Sequence, residues 1–256
     1  ASMQALMRGL ELGPQRFAVA RAPAPHVGVD GVFGDALARR IHDEVVSLRP
    51  HFRPGGIGVA SEDAPSLRRS LICAPDEVFH DDVFHDEEPT GDFAALIARR
   101  AERSVVLGAV DSLVLSHDLR DLFDAAPLPL CKLREVNRWE TQIARYGDDD
   151  KYDWHIDRLG TDERLISIVY FLLDEPRAFT GGELELTDGL VRHGALASSE
   201  PAVTSIEVVR DRAVVFSART AHRVRPVRAP EAFEQGRFSI TIFAGVHGAT
   251  PEGRAY

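Results

Sequence analysis

The chain has 256 residues, 44% of them hydrophobic and 27% charged, a balance that suits one folded domain with a sizeable core and excludes an intrinsically disordered chain. Its formal charge of −10, from 40 acidic and 30 basic side chains, repels a phosphate backbone and argues against nucleic acid as a partner. No apolar run reaches the roughly 18 to 20 residues that span a bilayer. Ala1–Arg16 has no basic start followed by an apolar stretch, so neither a membrane segment nor a secretory signal is expected. Cys73 and Cys131 lack both a disulfide framework and metal-ligand spacing, and read as ordinary thiols of a cytoplasmic protein.

Taken in chain order, the first elements are helical. Asp35 precedes Leu37, Ile41, Val45 and Leu48, which share one helical face, and Pro50 stops the run. His51 to Gly58, rich in Pro and Gly, reads as a loop. Glu77 to Asp86 is a tandem repeat, EVFHD then DVFHD. A spacing of five places His80 and His85 on neither one helical face nor one strand face, so the repeat reads as an acidic loop or lid rather than a metal site. From Asp92, Phe93, Leu96, Ile97, Leu107, Val110 and Val114 predict one long helix or two abutting ones. A short helix through Leu119, Leu122 and Phe123 follows, closed by Pro127 and Pro129.

Beyond residue 130 the pattern changes to strands. Thr141–Tyr146, Leu165–Leu173, Glu183–Thr187, Thr204–Val209, Ala213–Ser217 and Phe238–Phe243 are short, rich in β-branched or apolar residues, and separated by Gly and Pro. Short strands without intervening helices favour an antiparallel sandwich or barrel. The expected organisation is a helical region over 1–130 supporting a β core over 131–256, the two forming one integrated domain of α+β character, mainly β.

The chemistry concentrates in that second half. His155-Ile156-Asp157 can set an imidazole and a carboxylate on one metal, and His222 supplies a second imidazole. Two histidines and one carboxylate occupy one face of an octahedral iron and leave three positions open. Fifteen residues after His222, Arg237 begins the strand Arg237-Phe238-Ser239-Ile240-Thr241. Period-two alternation points Ser239 and Thr241 the same way as Arg237. A guanidinium flanked by two hydroxyls suits the distal carboxylate of a dicarboxylic acid. Arg225 and Arg228 are rivals for that role, although alternation from an inward His222 sends Arg223 and Arg225 outward. Trp154 reads as structural, and His193 and His247 as unrelated to the metal.

With these residues in this order, the segment from Gln142 to Gly245 resembles the prolyl 4-hydroxylase-like branch of the 2-oxoglutarate/Fe(II) dioxygenases. The matching pieces are His155-Ile156-Asp157, Phe179-Thr180-Gly181-Gly182-Glu183-Leu184, Phe216 through His222 to Pro226-Val227, and Gly236-Arg237-Phe238-Ser239. The resemblance implies a double-stranded β-helix (jelly-roll) buttressed by helices. It implies Fe(II) held by His155, Asp157 and His222, with 2-oxoglutarate and O2 as co-substrates. Arg237 then pairs with the far carboxylate of 2-oxoglutarate, Thr241 supports it, and Tyr146 lies nearby. Animal oxygen-sensing prolyl hydroxylases carry a second tyrosine at the position of Phe171, so this carboxylate relies more on Arg237, Ser239 and Thr241. The implied activity is hydroxylation of an aliphatic C–H of an amino-acid-type substrate (free, N-modified or prolyl), releasing succinate and CO2. Asp157 fills the position that halogenating relatives leave open, which favours hydroxylation.

Arginines at 134, 138, 145, 158, 192, 219, 223, 225 and 228 enrich this half of an acidic chain, a pattern that fits either the charges of solvated strand edges or an anionic substrate or partner near the barrel mouth, small or peptidyl. Two further readings share the same ligands: a 2-oxoglutarate-binding sensor without turnover, and a cupin-like metal isomerase that needs no 2-oxo acid. The sequence leaves the oligomeric state open.

Overall fold

The computed structural model describes residues 16–20, 24–56, 67–79, 93–116, 136–157, 164–192, 195–196 and 202–246. Its N-terminal part contains strands β1 (Arg16–Ala20), β2 (His26–Asp30), β3 (Arg53–Pro54), β4 (Arg68–Arg69) and β5 (Leu71–Cys73). Among the described residues four helices lie between and after them, α1 (Gly34–Ser47), α2 (Pro75–Val78), α3 (Phe93–Arg103) and α4 (Val105–Val114). The long strands that follow are β6 (Arg138–Tyr146), β7 (Lys151–His155) and β8 (Arg164–Leu172). Shorter ones come next: β9 (Thr180–Gly181), β10 (Leu184–Thr187), β11 (Val191–Arg192), β12 (Ala195–Leu196) and β13 (Thr204–Ile206). The chain then forms β14 (Arg212–Ser217), β15 (Ala221–Val224), β16 (Val227–Arg228) and β17 (Arg237–Gly245).

An eight-stranded sheet in the order β1-β2-β14-β8-β17-β6-β5-β3 faces a five-stranded sheet in the order β13-β10-β15-β7-β4. From β6 onward the principal strands cross repeatedly between the sheets, β6, β8, β14 and β17 in the larger and β7, β10, β13 and β15 in the smaller. This is the expected jelly-roll. It is a sandwich of two separate sheets and not a closed barrel; the edge strands β3 and β4 are only two residues long.

The segment before residue 130, expected to be helical, also contributes strands: β1 and β2 extend the larger sheet beyond β14, and β5 and β3 extend it beyond β6. The two-residue strands Arg53-Pro54 and, in the smaller sheet, Arg68-Arg69 are too short and polar to show alternation, and Pro54 lies in the stretch read as a loop; β1 and β2, five residues each, are placed by pairing with each other and with β14. The predicted helices at Asp35 and Asp92 form. The second is two abutting helices, broken at Ser104, whose hydroxyl accepts from Leu107 N at 3.0 Å and starts α4. The Glu77–Asp86 repeat beyond Phe79, the short helix at Leu119, Cys131 and the boundary at residue 130 fall outside the described residues. Cys73 is buried, and burial pushes its thiol up to about 11, as an inert core thiol requires.

The central strand β17 is buried on both faces because each face meets a different layer. Phe238, Ile240, Ile242 and Ala244 join Ile41, Val45, Val110 and Trp139 in a core between the large sheet and the helices. The alternate residues look into the space between the sheets, where Tyr146, Phe171, Leu184 and Phe216 form a second cluster. Among the described residues no helix is long and apolar enough to cross a membrane.

Two long-range polar contacts fix the helices to the large sheet. The turn before β14 holds Asp211 at φ 56°, and its carboxylate accepts from Phe33 N (2.9 Å), Gly34 N (2.7 Å) and Tyr170 Oη (3.1 Å). It thereby caps α1, whose own N-cap residue offers no side-chain acceptor. Arg100, fully buried on α3, donates to Asp111 Oδ2 at 2.8 Å and Asp76 Oδ1 at 2.7 Å, while Trp139 Nε1 donates to Asp111 Oδ1 at 2.8 Å. Removing one partner of a buried pair strands the other charge, at about 3–5 kcal/mol. Asp111→Ala is therefore expected to lower stability by about that much, seen as a clear fall in the midpoint of urea unfolding. An unchanged midpoint contradicts the role assigned to this network.

Candidate active site

β7 and β15 are neighbours in the smaller sheet, and His155 pairs directly with His222 across them. Residues opposite each other on antiparallel strands have Cα atoms roughly 4.5–5.5 Å apart, so the two imidazoles are brought together by register alone. Their ring centroids lie 4.0 Å apart at 53°. After His155 the chain leaves the strand, and Asp157 N donates to Ala218 O at 3.0 Å. That turn brings the carboxylate back toward both rings. Asp157 Oδ1 lies 3.7 Å from His155 Nε2, and Oδ2 lies 3.4 Å from His222 Nε2. One ligand atom from each of the three residues lies within 4.8 Å of the others, so together they could hold one metal ion.

The nitrogens that point away from this centre are occupied. His155 Nδ1 is 2.8 Å from Asp153 O and His222 Nδ1 is 2.9 Å from Thr220 O. A carbonyl can only accept, so Nδ1 carries the proton and Nε2 keeps its lone pair for a metal. Burial first, and then His222, hold the His155 imidazole well below its usual range, which keeps it neutral. Ser167 Oγ donates to Asp157 Oδ2 at 2.6 Å. The Tyr152 ring stacks on His155 with centroids 3.5 Å apart at 13°. Its other face carries the Arg68 guanidinium, 4.6 Å from the ring centre. Sequence reasoning missed Ser167, Tyr152 and Arg68, since their roles depend on strand pairing and not on any local motif.

Across β6, β17 and β8 the residues facing the smaller sheet form successive rows. Arg237 pairs with Tyr146; Ser239 lies between Ala144 and Phe171, and Thr241 between Gln142 and Val169. Phe243 then lies between Glu140 and Ser167, and Gly245 between Arg138 and Arg164. The Arg237 end is closed, for Arg237, Ser239, Tyr146 and Phe171 are all at most 3% exposed. At the opposite end Arg138, Glu140 and Arg164 keep side-chain exposures of 23%, 37% and 30%, so the site opens there.

Arg237 is the chemically unusual residue of the closed end. Its Nε donates to Gly182 O at 2.9 Å and its Nη1 to Ser239 Oγ at 3.0 Å, while Nη2 is buried with no partner among the described residues. Among the described residues no carboxylate forms an ion pair with it. Burial pushes this guanidinium down to about 10, the response of a cation held without a counter-charge. Its flat faces rest near Tyr146 (5.0 Å) and Phe171 (5.4 Å). Gly182, at φ +75°, permits this approach, because a Cβ there would lie 2.9 Å from Arg237 Cδ.

The structure thus brings His155, Asp157 and His222 together, and sets Tyr146, Arg237, Ser239 and Thr241 on the same inner face. The rivals lie elsewhere: the Arg225 side chain is 48% exposed near Glu185, and the Arg228 side chain is 67% exposed near Asp148 and Asp149. Trp154 lies under the Arg223 guanidinium at 4.7 Å, away from the triad as alternation required. His193 and His247 fall outside the described residues. Two imidazole nitrogens and a carboxylate suit Fe(II), and the unpaired Arg237 Nη2 suits a carboxylate.

Residues 141–245 match the 2OG-Fe(II) oxygenase superfamily. An uncharacterised PKHD-type hydroxylase of Synechocystis is 31% identical over 109 residues, covering 41% of this chain and 36% of that protein, so the match spans about a third of the relative's length. Among solved structures, a prolyl hydroxylase from Trichoplax adhaerens, in complex with a hypoxia inducible factor oxygen degradation domain peptide, aligns with a TM-score of 0.52 at 17% identity, over 95% of this chain and 91% of that one. The non-heme alpha-ketoglutarate-dependent epimerase SnoN from nogalamycin biosynthesis aligns with a TM-score of 0.50 at 12% identity, over 95% and 80% of the two chains. At such identities these structures share the fold.

The Ser167 hydroxyl holds a ligand of the candidate metal, and losing such a contact typically costs about 10–100-fold in metal affinity. Ser167→Ala is expected to weaken Co(II) binding, followed by its visible absorption, on that order, and Ser167→Thr to restore it. Equal affinities in all three proteins contradict the contact.

Proposed function

We propose, from the 2-oxoglutarate/Fe(II) oxygenase core carried by residues 141–245, that this protein hydroxylates an unactivated aliphatic C–H of an amino-acid-type substrate, a free or N-modified amino acid or a prolyl residue. His155, Asp157 and His222 would hold the Fe(II). Arg237 would receive the far carboxylate of 2-oxoglutarate, with Ser239 and Thr241 on the rows between it and the triad and Tyr146 beside it. The observation that carries the reading is Arg237, a guanidinium with one donor buried and unpaired at the closed end of a site that has a metal-type triad above it.

Fe(II), 2-oxoglutarate and O2 supply the oxidising chemistry, with succinate and CO2 as the expected co-products. What the chain's own residues do is hold, orient and exclude. The Nδ1 contacts to Asp153 and Thr220 fix both imidazole planes, and Ser167 fixes the carboxylate. Phe216 stands edge-on to His222 at 4.8 Å and Tyr152 covers His155, which keeps water from that side of the triad. Burial pushes the Tyr152 phenol up to about 12, so the ring remains neutral beside the metal ligands. Phe171 under Arg237 offers no hydroxyl, which leaves Arg237 and Ser239 as the polar floor. Asp157 as third ligand supports hydroxylation over halogenation.

The expected outcome in solution is succinate released one-for-one with a product heavier by one oxygen, dependent on Fe(II), 2-oxoglutarate and O2. His155→Ala should abolish both turnover and Co(II) binding while the folded-state circular dichroism is retained. Binding of 2-oxoglutarate without succinate from any amino-acid or prolyl substrate contradicts the proposal, as does turnover that needs no 2-oxo acid.

A further inference from the structure

The open end of the site carries a charge cluster that the triad and the Arg237 end do not use. Glu140 Oε1 lies 3.2 Å from Arg138 Nη2, and Glu140 Oε2 lies 2.8 Å from Arg164 Nη2. The two arginines flank Gly245 on the central strand, a residue with no side chain to separate them. Arg138 Nε is buried and has no hydrogen-bond partner among the described residues. An unpaired, desolvated N–H is costly, and the Nε–Nη edge of a guanidinium matches a carboxylate with two parallel bonds.

Arg164 reaches this face through a local irregularity. Gly245 pairs with Arg164 and Ala244 with Ile166, so Leu165 has no opposite number and the register shifts there. Strict alternation from Ser167, which faces the triad, would send Arg164 toward the helices. The bulge instead lets Leu165 and Ile166 both pack on the helix-side core and returns Arg164 to the inner face. There its Nη1 donates to Asp157 O at 3.3 Å, and its guanidinium lies 4.1 Å from the Phe243 ring centre. The cluster is thereby tied to the residue whose carboxylate faces both histidines. Its uppermost row lies one pleat repeat, about 7 Å, beyond the row of Ser167.

Arg145 and Arg223, also in this half, turn away from the opening. Arg145 donates to Phe233 O and Ala232 O on the helix side. Arg223 pairs with Glu185 and covers Trp154.

We infer that Arg138, with Arg164 beside it, is a subsite for a carboxylate of the substrate, so that the molecule oxidised is an organic acid whose carboxylate lies a few bonds from the reacting carbon. The inference rests on the oxygenase reading and narrows its substrate class. Glu140 holds the two guanidinium groups in place and competes with the incoming carboxylate for Arg138.

The test uses the full chain loaded anaerobically with Fe(II) and 2-oxoglutarate, whose visible absorption responds when a molecule settles beside the metal. The probes are the free L-amino acids and their N-acetyl derivatives, each compared with its carboxamide. One or more acids should shift the spectrum, with the matching amide bound at least about tenfold more weakly. A response confined to the free or to the N-acetylated acids supports the subsite and assigns the source of the carboxylate. Arg138→Met should weaken the responding acid by about tenfold or more. Glu140→Gln, which removes the competitor, should bind it more tightly, whereas a merely structural cluster would lose affinity in both variants. Both variants should retain 2-oxoglutarate binding, read in the same titration. The subsite is overturned if no acid binds a protein that has bound 2-oxoglutarate, if acid and amide bind alike, or if Glu140→Gln weakens binding. Failure of the unmodified protein to bind 2-oxoglutarate overturns the oxygenase reading itself, and the subsite with it.

Discussion

Alternation along β17 is the constraint on which the rest of the molecule depends. Its even-numbered residues from Phe238 to Ala244 fill the core against the helices, and its odd-numbered ones from Arg237 to Phe243 face the smaller sheet. A slip of one residue would put the Arg237 guanidinium among Ile41 and Trp139 and turn Ile240 into the site. The fully apolar even face disfavours that slip, since it would set the guanidinium in an apolar core and take it from the Gly182 carbonyl it now donates to. The packing that stabilises the fold therefore also aims the polar residues of the site. Neighbouring strands β6 and β8 inherit the same phase, which is why Tyr146, Phe171 and Ser167 line the inner face with Arg237.

Much of the candidate site was legible because its signals are local. His155-Ile156-Asp157 lies within three residues, and Arg237, Ser239 and Thr241 share a strand whose period fixes their direction. The glycines at 181 and 182 were visible as part of a phrase, and the structure supplies their reason in positive φ and in the close approach of Pro226 O and the Arg237 side chain. What the sequence does not carry is pairing between distant segments. The direct opposition of His155 and His222, the Ser167 contact to Asp157, and the Asp211 cap on α1, contributed from 177 residues away, all depend on register set by the whole sheet. The short strands before residue 130 were missed for a related reason. In β3, β4 and β5 two or three residues contain no period, while β1 and β2, five residues each, are fixed as sheet strands by pairing with each other and with β14.

The bulge at Leu165 shows the same limit at the open end. Strict alternation from Ser167 assigns Arg164 to the helix side. One unpaired residue reverses that assignment and places a cation beside Asp157. The inner face then reads along its length as a sequence of chemistries. A buried guanidinium lies at the closed end, hydroxyls on Ser239 and Thr241 come next, the His155–Asp157–His222 group follows, and a paired charge cluster stands at the opening. A molecule spanning the first three of these must present a carboxylate far from its metal-binding atoms, which is the chemistry of a 2-oxo dicarboxylic acid.

The most direct measurement of that claim is calorimetric titration of the metal-loaded protein with 2-oxoglutarate and with 2-oxopentanoate, which keeps the metal-binding end and lacks the far carboxylate. Tight binding of 2-oxoglutarate is expected, with a loss on the order of 2–5 kcal/mol for 2-oxopentanoate and disappearance of that difference in Arg237→Met. Equal binding of the two acids by the unmodified protein, or a difference that survives Arg237→Met, would contradict it.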